Sequence, residues 1–430
     1  MICKNCGSEV RMVVADLGFA PPSNSFLSDS DLNKSETYFP LKVFLCEQCL
    51  LVQMDEYKNA KEIFAKNYVY FSSYSKTWVQ HAKDYVDMIS AKLKLNTSSQ
   101  VIEIASNDGY LLQFFNQKNI PNLGIEPTSS TADAARAKGI NVIEDFFNSQ
   151  LAKNLPKADL IIGNNVIAHV PNIRDFVQGV YLTLKKNGVA TFEFPHILNM
   201  LQFNQFDTIY HEHFYYYSLH AIINLFEAEK LHIYDVDMLS THGGSLRIYA
   251  SKNKMKQSKM IEKVLKLEKT YNLDSPIGYA NFQSSIENTK NNFLSLLLKA
   301  KKQNKKIVGF GAAAKGNTLL NYCGVKTDMI ECVVDSSPYK QNLFLPGSHI
   351  PVKDKDILSK IKPDYIWIPA WNLKSEIINE VKALTTINVT NGGGEYTSSL
   401  SLPQRSRLLP KNFSSEQIDR KESLWNDFLL

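Results

Sequence analysis

The stretch IYHEHFYYYS, residues 209–218, holds two histidines, one glutamate and four tyrosines. Imidazole and phenol groups give or take protons near neutral pH when their surroundings permit it. A helix would place Tyr210 and His213 on one face, with Phe214 and Tyr217 beside them. Glu212 would then point elsewhere, unless this part of the stretch is still the irregular entry to the helix. From composition alone, the stretch is either a proton-transfer site or a crowded face with core tyrosines and exposed histidines.

The preceding elements predict an α/β fold with a parallel sheet. A helix is expected over residues 75–95, followed by strands and helices in alternation. The predicted strands are VIEIA (101–105), NLGIEP (122–127), NVIEDFF (141–147), LIIGNNV (160–166) and VATFEFP (189–195). The helix RDFVQGVYLTLKKNG is expected to end at Gly188. The stretch IYHEHFYYYS is interpreted here as a helix that follows the fifth strand. It therefore starts at the carboxyl edge of the sheet, where ligands bind in such folds.

The loop after the first strand, EIASNDG, is a candidate cofactor loop. A small residue at Ala105 and a glycine at Gly109 let the backbone approach a ligand closely. Glu126, at the end of the second strand, stands where an acidic residue takes ribose hydroxyls. The fingerprint G-x-G-x-x-G is absent, so a cofactor with ribose but no phosphate, S-adenosylmethionine, suits the loop best. The alternative is a purely structural turn.

Four of the six cysteines form two C-x-x-C pairs: Cys3 with Cys6 and Cys46 with Cys49. In a reducing compartment such pairs bind a metal more often than they form disulfides. Four thiolates suit tetrahedral Zn²⁺, which predicts a structural zinc module with short strands. The alternative is two pairs of unrelated thiols.

The second half of the chain predicts an antiparallel strand pair, then helices, then another α/β unit. KLHIYDVDML and SLRIYAS form the pair, joined by STHGG, and residues 256–300 are helical. The last unit begins at KKIVGFGAAAKGNTLL (305–320), with further strands in MIECVVDSS, DYIWIPAW and TINVTNGGG. From about Leu402 the chain is polar and irregular.

The amino-acid composition excludes few classes of protein. The 430 residues are 44% hydrophobic and 21% charged, with a net charge of +5, as in a globular protein of two or three domains. There is no apolar run of about 20 residues that could span a membrane. The N-terminus lacks the apolar core of a secretory signal, and a cytoplasmic location is expected.

The chain resembles the bacterial sugar C-methyltransferases, which place a branch methyl on keto-deoxysugar nucleotides. The resemblance runs from Cys3 to about residue 400. It is carried, in order, by the segments DLGFAPPSNSFL, EIASNDG, GIEP, NVIAHVPN, FEFPH, YHEHFYYYS, THGGSLRIY, GAAAKGNTLLNYCG and PGSHIPV. It implies a zinc module (1–70), a class I methyltransferase domain (71–252) and a Rossmann-like C-terminal domain (253–405), with the active site between domains. Residues 406–430 form a polar tail.

The resemblance also implies roles for the opening stretch. His213 is the base that removes a proton next to a ketone, Tyr210 and His169 lie near the keto oxygen, and Glu212 orients or polarises the histidine. A carbon becomes nucleophilic toward a methyl sulfonium only after such a deprotonation, which requires a base and a donor for the enolate oxygen.

Further residues complete the expected site. The cofactor-binding set is Glu103, Ala105, Asn107, Asp108, Gly109, Glu126, Asp145, Phe146, Asn164, Asn165, Ser72 and Tyr70. For Tyr70 and Ser72, or Ser73 in place of Ser72, the resemblance implies that they face either the cofactor or the substrate. In this set Asp145 and Phe146 meet the adenine, and Asn164 and Asn165 meet the methionine moiety. The substrate-binding set is Arg247, Lys315 and His196. Arg247 is either a fixed positive fork or a bridge between domains. Lys315 meets the diphosphate, or its loop is a former nucleotide loop that only packs.

The leading hypothesis is therefore methyl transfer from S-adenosylmethionine to carbon, at C3 of a 4-keto nucleotide-linked deoxysugar. One alternative is an O-methyltransferase in which His213 deprotonates a hydroxyl. Another is a zinc-bearing nucleic-acid-modifying protein, which the scattered Lys and Arg residues disfavour. No nucleic-acid partner and no membrane span are expected, and the chain is expected to be a monomer or homodimer.

Overall fold

The computed structural model describes residues 1–57 and 71–389. Tyr70, the polar tail, and the part of TINVTNGGG beyond Val389 lie outside these residues. The strands are, in chain order, β1 (Met12–Ala20), β2 (Phe39–Leu45), β3 (Val52–Met54), β4 (Val101–Ile104), β5 (Asn122–Ile125), β6 (Val142–Ile143), β7 (Ala158–Asn164), β8 (Leu184–Pro195), β9 (Tyr215–Tyr216), β10 (His232–Leu239), β11 (Ser245–Ser251), β12 (Ile307–Phe310), β13 (Cys332–Val334), β14 (Val352–Lys353) and β15 (Tyr365–Trp367).

The α-helices of the described residues alternate with these strands. They are α1 (Lys76–Leu93), α2 (Leu112–Gln117), α3 (Ser129–Ala137), α4 (Ser149–Ala152), α5 (Ile173–Thr183), α6 (Ile197–Gln202), α7 (Leu219–Ala228), α8 (Lys259–Thr270), α9 (Phe282–Lys302), α10 (Ala314–Cys323), α11 (Ile357–Ile361) and α12 (Lys374–Val389).

The chain divides into two compact units. Unit 1 comprises residues 1–24 and 37–289, and unit 2 comprises residues 25–36 and 290–430. Unit 1 therefore holds both the cysteine pairs and the β/α alternation that precedes IYHEHFYYYS. The predicted domain boundaries at residues 70, 252 and 405 stay predictions.

The large sheet of unit 1 has seven strands in the order β10-β11-β8-β7-β4-β5-β6. Strands β4 to β8 pair in parallel, whereas β11 pairs antiparallel with both β8 and β10. The predicted α/β class, the five parallel strands and the antiparallel pair are confirmed, and this is the sheet of a class I methyltransferase. The strand order reverses between β4 and β7, so the crevice for a ligand opens at their carboxyl ends.

The parallel strands are apolar because both faces of the sheet are covered. Ile102 and Ile161 belong to one buried cluster, while their neighbours Val101 and Leu160 belong to another. Successive side chains of a strand point to opposite faces, so a strand buried on both sides has no polar alternation. This is why VIEI and LII were recognisable in the sequence.

Two element boundaries were wrong. Helix α5 ends at Thr183 and not at Gly188, because Leu184 already pairs with Ala158 and starts the strand β8. A side chain at Gly188 would place its Cβ 2.6 Å from the carbonyl oxygen of Ala158, so the close approach requires glycine. The third predicted strand shrinks to β6, a two-residue strand at the sheet edge.

A second sheet of unit 1 has the antiparallel order β1-β2-β3-β9. The short strands predicted for the cysteine module are confirmed here. Its fourth strand, β9, comes from the opening stretch: Tyr216 pairs with Val52 and Tyr215 pairs with Gln53. The stretch predicted as the chemical centre is therefore also a structural part of the cysteine module.

Unit 2 contains a parallel four-stranded sheet in the order β14-β13-β12-β15. This confirms the second α/β unit and its strands in KKIVGF, MIECVV and DYIWIP. Strand β14 was not predicted. The described part of TINVTNGGG, residues 386–389, ends the helix α12, so the strand predicted there is wrong.

Among the described residues, no helix combines the length and the apolar character needed to cross a bilayer.

His196 lies in the core of unit 1. Its side chain is only 1% exposed, and its Nε2 lies 2.7 Å from Oε1 of the buried Glu268 on α8. The same carboxylate accepts the backbone N–H groups of Leu219 and His220 at the first turn of α7. Its negative charge is thus placed at the positive end of a helix dipole. This environment favours a structural role for His196, and its predicted contact with substrate stays a prediction.

We expect Glu268→Ala to lower the free energy of unfolding by about 3 kcal/mol, because it leaves His196 and two helical N–H groups without a buried acceptor. Glu262→Ala is the matched control, since Glu262 is exposed on the same helix. It should change stability by less than about 0.5 kcal/mol. Urea unfolding measures both values, and equal losses in the two variants would contradict this role of Glu268.

Candidate functional site

The loop after β4 has the tight geometry expected of a cofactor loop. Ala105, Asn107 and Gly109 take positive φ angles of 55°, 49° and 73°. A Cβ on Gly109 would lie 2.2 Å from Cδ1 of Ile140, so glycine is required both by the backbone and by the space. Positive φ at a non-glycine residue is uncommon, and such backbones concentrate at functional sites.

Glu126 holds this loop in place. Its Oε2 accepts the N–H of Asn107 at 2.9 Å, and its Oε1 accepts the N–H of Thr128 at 3.0 Å. Asn107 in turn accepts the N–H of Ser72 through Oδ1 at 2.9 Å. The structure therefore brings together three residues of the predicted cofactor set. The side chains of Thr128 and Thr131 also hydrogen-bond to this carboxylate, which fixes its orientation at the end of β5.

The other acidic residues of the loop are buried. Burial, together with the carboxylates of Glu126 and Asp108, raises the pKa of Glu103 well above its usual range. Asp108 accepts the hydroxyl of Ser73 and lies 3.3 Å from Nζ of Lys138. The described contacts of Asp108 thus anchor the loop to the segment before α1 and to the end of α3.

Asn164 and Asn165 end β7 beside this loop. The Asn164 amide oxygen and nitrogen and the Asn165 Oδ1 are buried and have no hydrogen-bond partner among the described residues. Buried polar atoms are rarely left without partners. The ammonium and carboxylate groups of a bound methionine moiety would satisfy them, so these residues fit the donor S-adenosylmethionine. Asp145 is exposed and Phe146 half-buried just after β6.

IYHEHFYYYS is not a helix. Residues 210–213 form a turn, with His213 N–H donating to the carbonyl of Tyr210 at 2.8 Å, and β9 follows. Phe214 donates its N–H to Ala168 at 2.7 Å, just beyond β7. The turn is therefore tied to the carboxyl edge of the large sheet on one side, while β9 is tied to β3 on the other. These long-range pairings replace the hydrogen bonds of a helix.

Three of the four tyrosines fill the core. Tyr215, Tyr216 and Tyr217 are buried, and the hydroxyls of Tyr215 and Tyr217 donate to the carbonyls of Pro171 and Ile167. Burial raises the pKa of all three phenols. The core alternative left open by the composition is thus correct for these residues, but not for Tyr210.

Tyr210, His213 and His169 form a compact cluster, which we name the His–Tyr cluster. The ring of His213 lies 4.0 Å from that of Tyr210 and 4.6 Å from that of His169, between centroids. Nδ1 of His213 lies 2.8 Å from the carbonyl oxygen of Thr208, and Nδ1 of His169 lies 2.7 Å from that of Glu212. A carbonyl only accepts, so both rings carry a proton on Nδ1, and a neutral ring then has its lone pair on Nε2.

The carboxylate of Glu212 is buried and accepts the amide N–H of Asn24 at 2.7 Å. The described contact that orients His213 is the carbonyl of Thr208, and Glu212 orients His169 through its backbone oxygen. The predicted polarisation of His213 by the Glu212 side chain stays a prediction.

Arg247 belongs to a second polar cluster centred on Glu193. Oε2 of Glu193 lies 2.7 Å from Nη2 of Arg247 and 2.9 Å from Nε2 of His81. Oε1 of Glu193 accepts the hydroxyl of Thr241 at 2.7 Å. Burial would raise the pKa of Glu193, but His81 and the charge of Arg247 lower it to about 2. Arg247 is nearly fully buried, and its partner Glu193 lies opposite it in the same sheet. These contacts join neighbouring strands of one domain, so they support neither the bridge between domains nor the fork, and the predicted contact of Arg247 with substrate stays a prediction.

Glu193, His81 and Thr241 were not predicted. One sequence feature could have indicated the ion pair. Strands β8 and β11 pair so that the acidic Glu193 lies opposite the basic Arg247. Opposite charges on two predicted strands that were expected to pair would have suggested the contact between Glu193 and Arg247. They would not have suggested that His81, on the distant helix α1, also contacts Glu193.

Lys315 lies in the first turn of α10 in unit 2. Its Nζ donates to Oδ1 of Asn372 at 2.8 Å and lies 4.1 Å from the ring centre of Trp371. In the preceding loop, the N–H of Ala312 donates to the carboxylate of Asp335 at 2.8 Å. An acidic side chain thus already binds one of the loop N–H groups that a phosphate would use.

The four predicted cysteines converge. Their Sγ atoms all lie within 4.8 Å of one another, with 3.6 Å between Cys3 and Cys49 and 3.5 Å between Cys6 and Cys46. Zinc bonded to sulfur at about 2.3 Å in a tetrahedron separates its ligands by about 3.8 Å, so the geometry fits. The contact with Cys49 and the N–H of Gln53 lower the pKa of Cys3 to about 4, whereas the contact with Cys3 raises the pKa of Cys49 and burial raises that of Cys46. Cys3 is therefore the thiol of the cluster that loses its proton most readily. A thiolate is the form that binds metal.

We expect Cys49→Ser to reduce bound zinc from about one ion per chain to nearly none and to lower the melting temperature, because folding of such a module depends on the metal. Cys323→Ala is the control, since Cys323 is buried outside the cluster. Elemental analysis of the purified chain measures the metal. Full zinc content in the Cys49 variant would contradict the assignment.

Comparisons with known proteins agree with this arrangement. Three family models match the chain: "Putative zinc binding domain" at residues 3–64, "Methyltransferase domain" at residues 78–234 and "C-methyltransferase C-terminal domain" at residues 240–395. The C-methyltransferase NovU of Streptomyces niveus is 30% identical over 397 residues, covering 91% of this chain and 93% of that protein.

Solved structures match a smaller part of the chain. Magnesium protoporphyrin IX methyltransferase of Synechocystis PCC 6803 is 15% identical, with 41% of this chain and 83% of that chain covered and a TM-score of 0.35. A SAM-dependent methyltransferase of Thermotoga maritima, described as a possible histamine N-methyltransferase, is 18% identical, with 42% and 95% covered and a TM-score of 0.33. At scores this low, the fold assignment depends on the strand order itself.

The three models follow one another along the chain in the order expected from the motifs, and NovU matches across all of them. The chain therefore belongs to the family of SAM-dependent C-methyltransferases that carry an N-terminal zinc-binding domain and a C-methyltransferase C-terminal domain.

Proposed function

We propose that this C-methyltransferase methylates C3 of a 4-keto nucleotide-linked deoxysugar through an enolate that His213 generates. The observation that carries the proposal is the His–Tyr cluster, in which two imidazoles and a phenol lie together beside the carboxyl edge of the sheet. Methyl transfer to carbon next to a ketone requires a base and a proton donor at one place.

His213 has the tautomer that a base needs. Its Nδ1–H donates to Thr208, which fixes the ring and leaves the lone pair of the neutral ring on Nε2. In the proposed step Nε2 takes the proton from the carbon next to the ketone. The electron pair of that C–H bond becomes the enolate π bond, and the carbonyl π electrons move to the oxygen.

Tyr210 is the donor for that oxygen. Desolvation lowers the pKa of His169 to about 4, so this ring is neutral at pH 7. Its only proton is on Nδ1 and is donated to Glu212, so its Nε2 accepts hydrogen bonds. His169 therefore suits a substrate hydroxyl better than the enolate oxygen, and the phenol of Tyr210 is the group of the cluster that can donate.

S-adenosylmethionine, when bound, supplies an electrophilic methyl group, and the loop residues 103–109 with Glu126, Asn164 and Asn165 would hold it. Glu126 takes the ribose hydroxyls, the two asparagines take the methionine moiety, and Asp145 and Phe146 flank the adenine. The support is the strained loop, the acceptors on Glu126 and the buried amide atoms that lack partners in the described residues. Lys315 is the proposed cation for the substrate diphosphate.

We expect His213→Asn to reduce turnover by 10²–10⁴-fold, the usual contribution of a general base. The Asn amide can still donate to Thr208, so only the basic Nε2 is lost. S-adenosylmethionine affinity, measured by calorimetry, should stay within about twofold. With a nucleotide-linked 4-keto deoxyhexose in D₂O, the variant should also lose solvent exchange at C3, followed by NMR.

The control is His232→Gln, because His232 begins β10 at the opposite edge of the sheet. It should leave turnover and exchange unchanged. Exchange at the wild-type rate in His213→Asn would contradict the base assignment, and methylation of a hydroxyl by the wild type would establish an O-methyltransferase instead.

The low pKa of His169 predicts a pH dependence of stability. The unfolded ring takes a proton near pH 6.5, whereas the folded ring does so only near pH 4. The unfolded state therefore binds more protons between these values, and the free energy of unfolding falls as the pH drops from 6.5 towards 4.

The variant His169→Asn keeps a donor to the carbonyl of Glu212 but has no ring to protonate. The decrease in the free energy of unfolding that His169 causes between pH 6.5 and pH 4 should therefore be absent in this variant. Urea unfolding of both proteins at pH 7.5, 5.5 and 4.5 measures the difference. Parallel curves for the wild type and the variant would show that His169 is not held neutral.

A further inference from the structure

The turn between β10 and β11, residues Thr241 to Gly244, lies at the carboxyl edge of the large sheet. Three successive residues have positive φ: His242 at 52°, Gly243 at 84° and Gly244 at 112°. The two glycines adopt this backbone readily, but a histidine does so at a cost of about 1 kcal/mol or more. Such a residue persists only where its surroundings fix it.

Contacts on both sides hold the turn. Thr241 donates its hydroxyl to Glu193 at 2.7 Å, and the carbonyl of Gly243 accepts the amide N–H of Gln205 at 3.0 Å. The His242 ring lies edge-on to Trp78 of α1, with 4.9 Å between ring centres. These contacts place the imidazole beside the end of β7.

His242 pairs with Asn165. Its Nε2 lies 2.8 Å from Nδ2 of Asn165. An amide nitrogen only donates, so the ring nitrogen accepts, and the neutral imidazole carries its proton on Nδ1. Asn165 is itself fixed, with φ of 53° and its N–H donating to the carbonyl of Glu193 at 2.8 Å.

This pairing decides which end of the Asn165 amide is available. Because His242 takes the N–H end, the Oδ1 end is left, and it is buried without a hydrogen-bond partner among residues 1–57 and 71–389. A buried acceptor beside the cofactor loop suits a positively charged donor. The α-ammonium group of the methionine moiety is such a donor.

We propose that His242 is a positioning residue, which accepts the Asn165 N–H and thereby presents Asn165 Oδ1 to the α-ammonium group of S-adenosylmethionine. The inference rests on the proposed contact of Asn165 with the methionine moiety. It assigns His242 no contact with the reacting carbon, so its effect is on cofactor affinity and not on the chemical step.

The test is calorimetric titration of the full chain with S-adenosylmethionine. His242→Ala removes the acceptor and should weaken binding by about tenfold, the usual effect of one hydrogen bond to a charged partner. His242→Gln places an amide oxygen near the position of Nε2 and should bind within about threefold of the wild type. Both variants carry the same unfavourable backbone, so their difference isolates the acceptor.

Asn165→Ala should also weaken binding by about tenfold, and His242→Ala should have no further effect in that background. Unchanged affinity in Asn165→Ala would overturn the cofactor contact of Asn165 and this inference with it. Weak binding by Asn165→Ala with unchanged binding by His242→Ala would overturn the inference alone. Equal losses in His242→Ala and His242→Gln would show that His242 only supports the fold.

Discussion

The hydrogen bond from Nδ1 of His213 to the carbonyl of Thr208 determines which ring nitrogen can take a proton. A histidine without such a contact exchanges between two tautomers and turns about its side-chain bonds. Here a backbone oxygen, which never donates, fixes both the tautomer and the direction of the ring. His169 repeats the arrangement with the carbonyl of Glu212. Two imidazoles thus meet edge to face with their basic nitrogens predefined by the backbone.

The backbone that supplies these carbonyls is held by the two sheets of unit 1. Phe214 is bound to Ala168 beyond β7, and Tyr215 pairs with Gln53 in β3. The Gln53 side chain donates to Cys3 of the cysteine cluster. The cysteine module thereby has a physical connection to the proposed base: a bound zinc would order β3, β3 pairs with β9, and β9 begins two residues after His213. The ion is expected to act through this connection and not as a Lewis acid on the substrate.

The sequence alone was sufficient to predict the elements whose residue pattern depends only on neighbouring residues in the chain. Buried runs such as VIEI, the helix from Lys76 and the C-x-x-C pairs were predicted because their patterns follow from burial and ligand geometry. IYHEHFYYYS was misread as a helix because its aromatic spacing fits a helix as well as a strand, and only pairing with the distant Val52 and Gln53 settles it. Glu193 and His242 were missed for a related reason. Their roles depend on residues that face them across the sheet, and one sequence does not show these contacts.

The tautomer of His213 is measured most directly by the ¹⁵N NMR spectrum of the histidine rings at alkaline pH, with His213 assigned by its loss in His213→Asn. We expect a protonated, pyrrole-type Nδ1 and an unprotonated, pyridine-type Nε2 for His213. A spectrum with the proton on Nε2 would contradict this expectation, because the nitrogen proposed as the base would then have no lone pair to accept a proton.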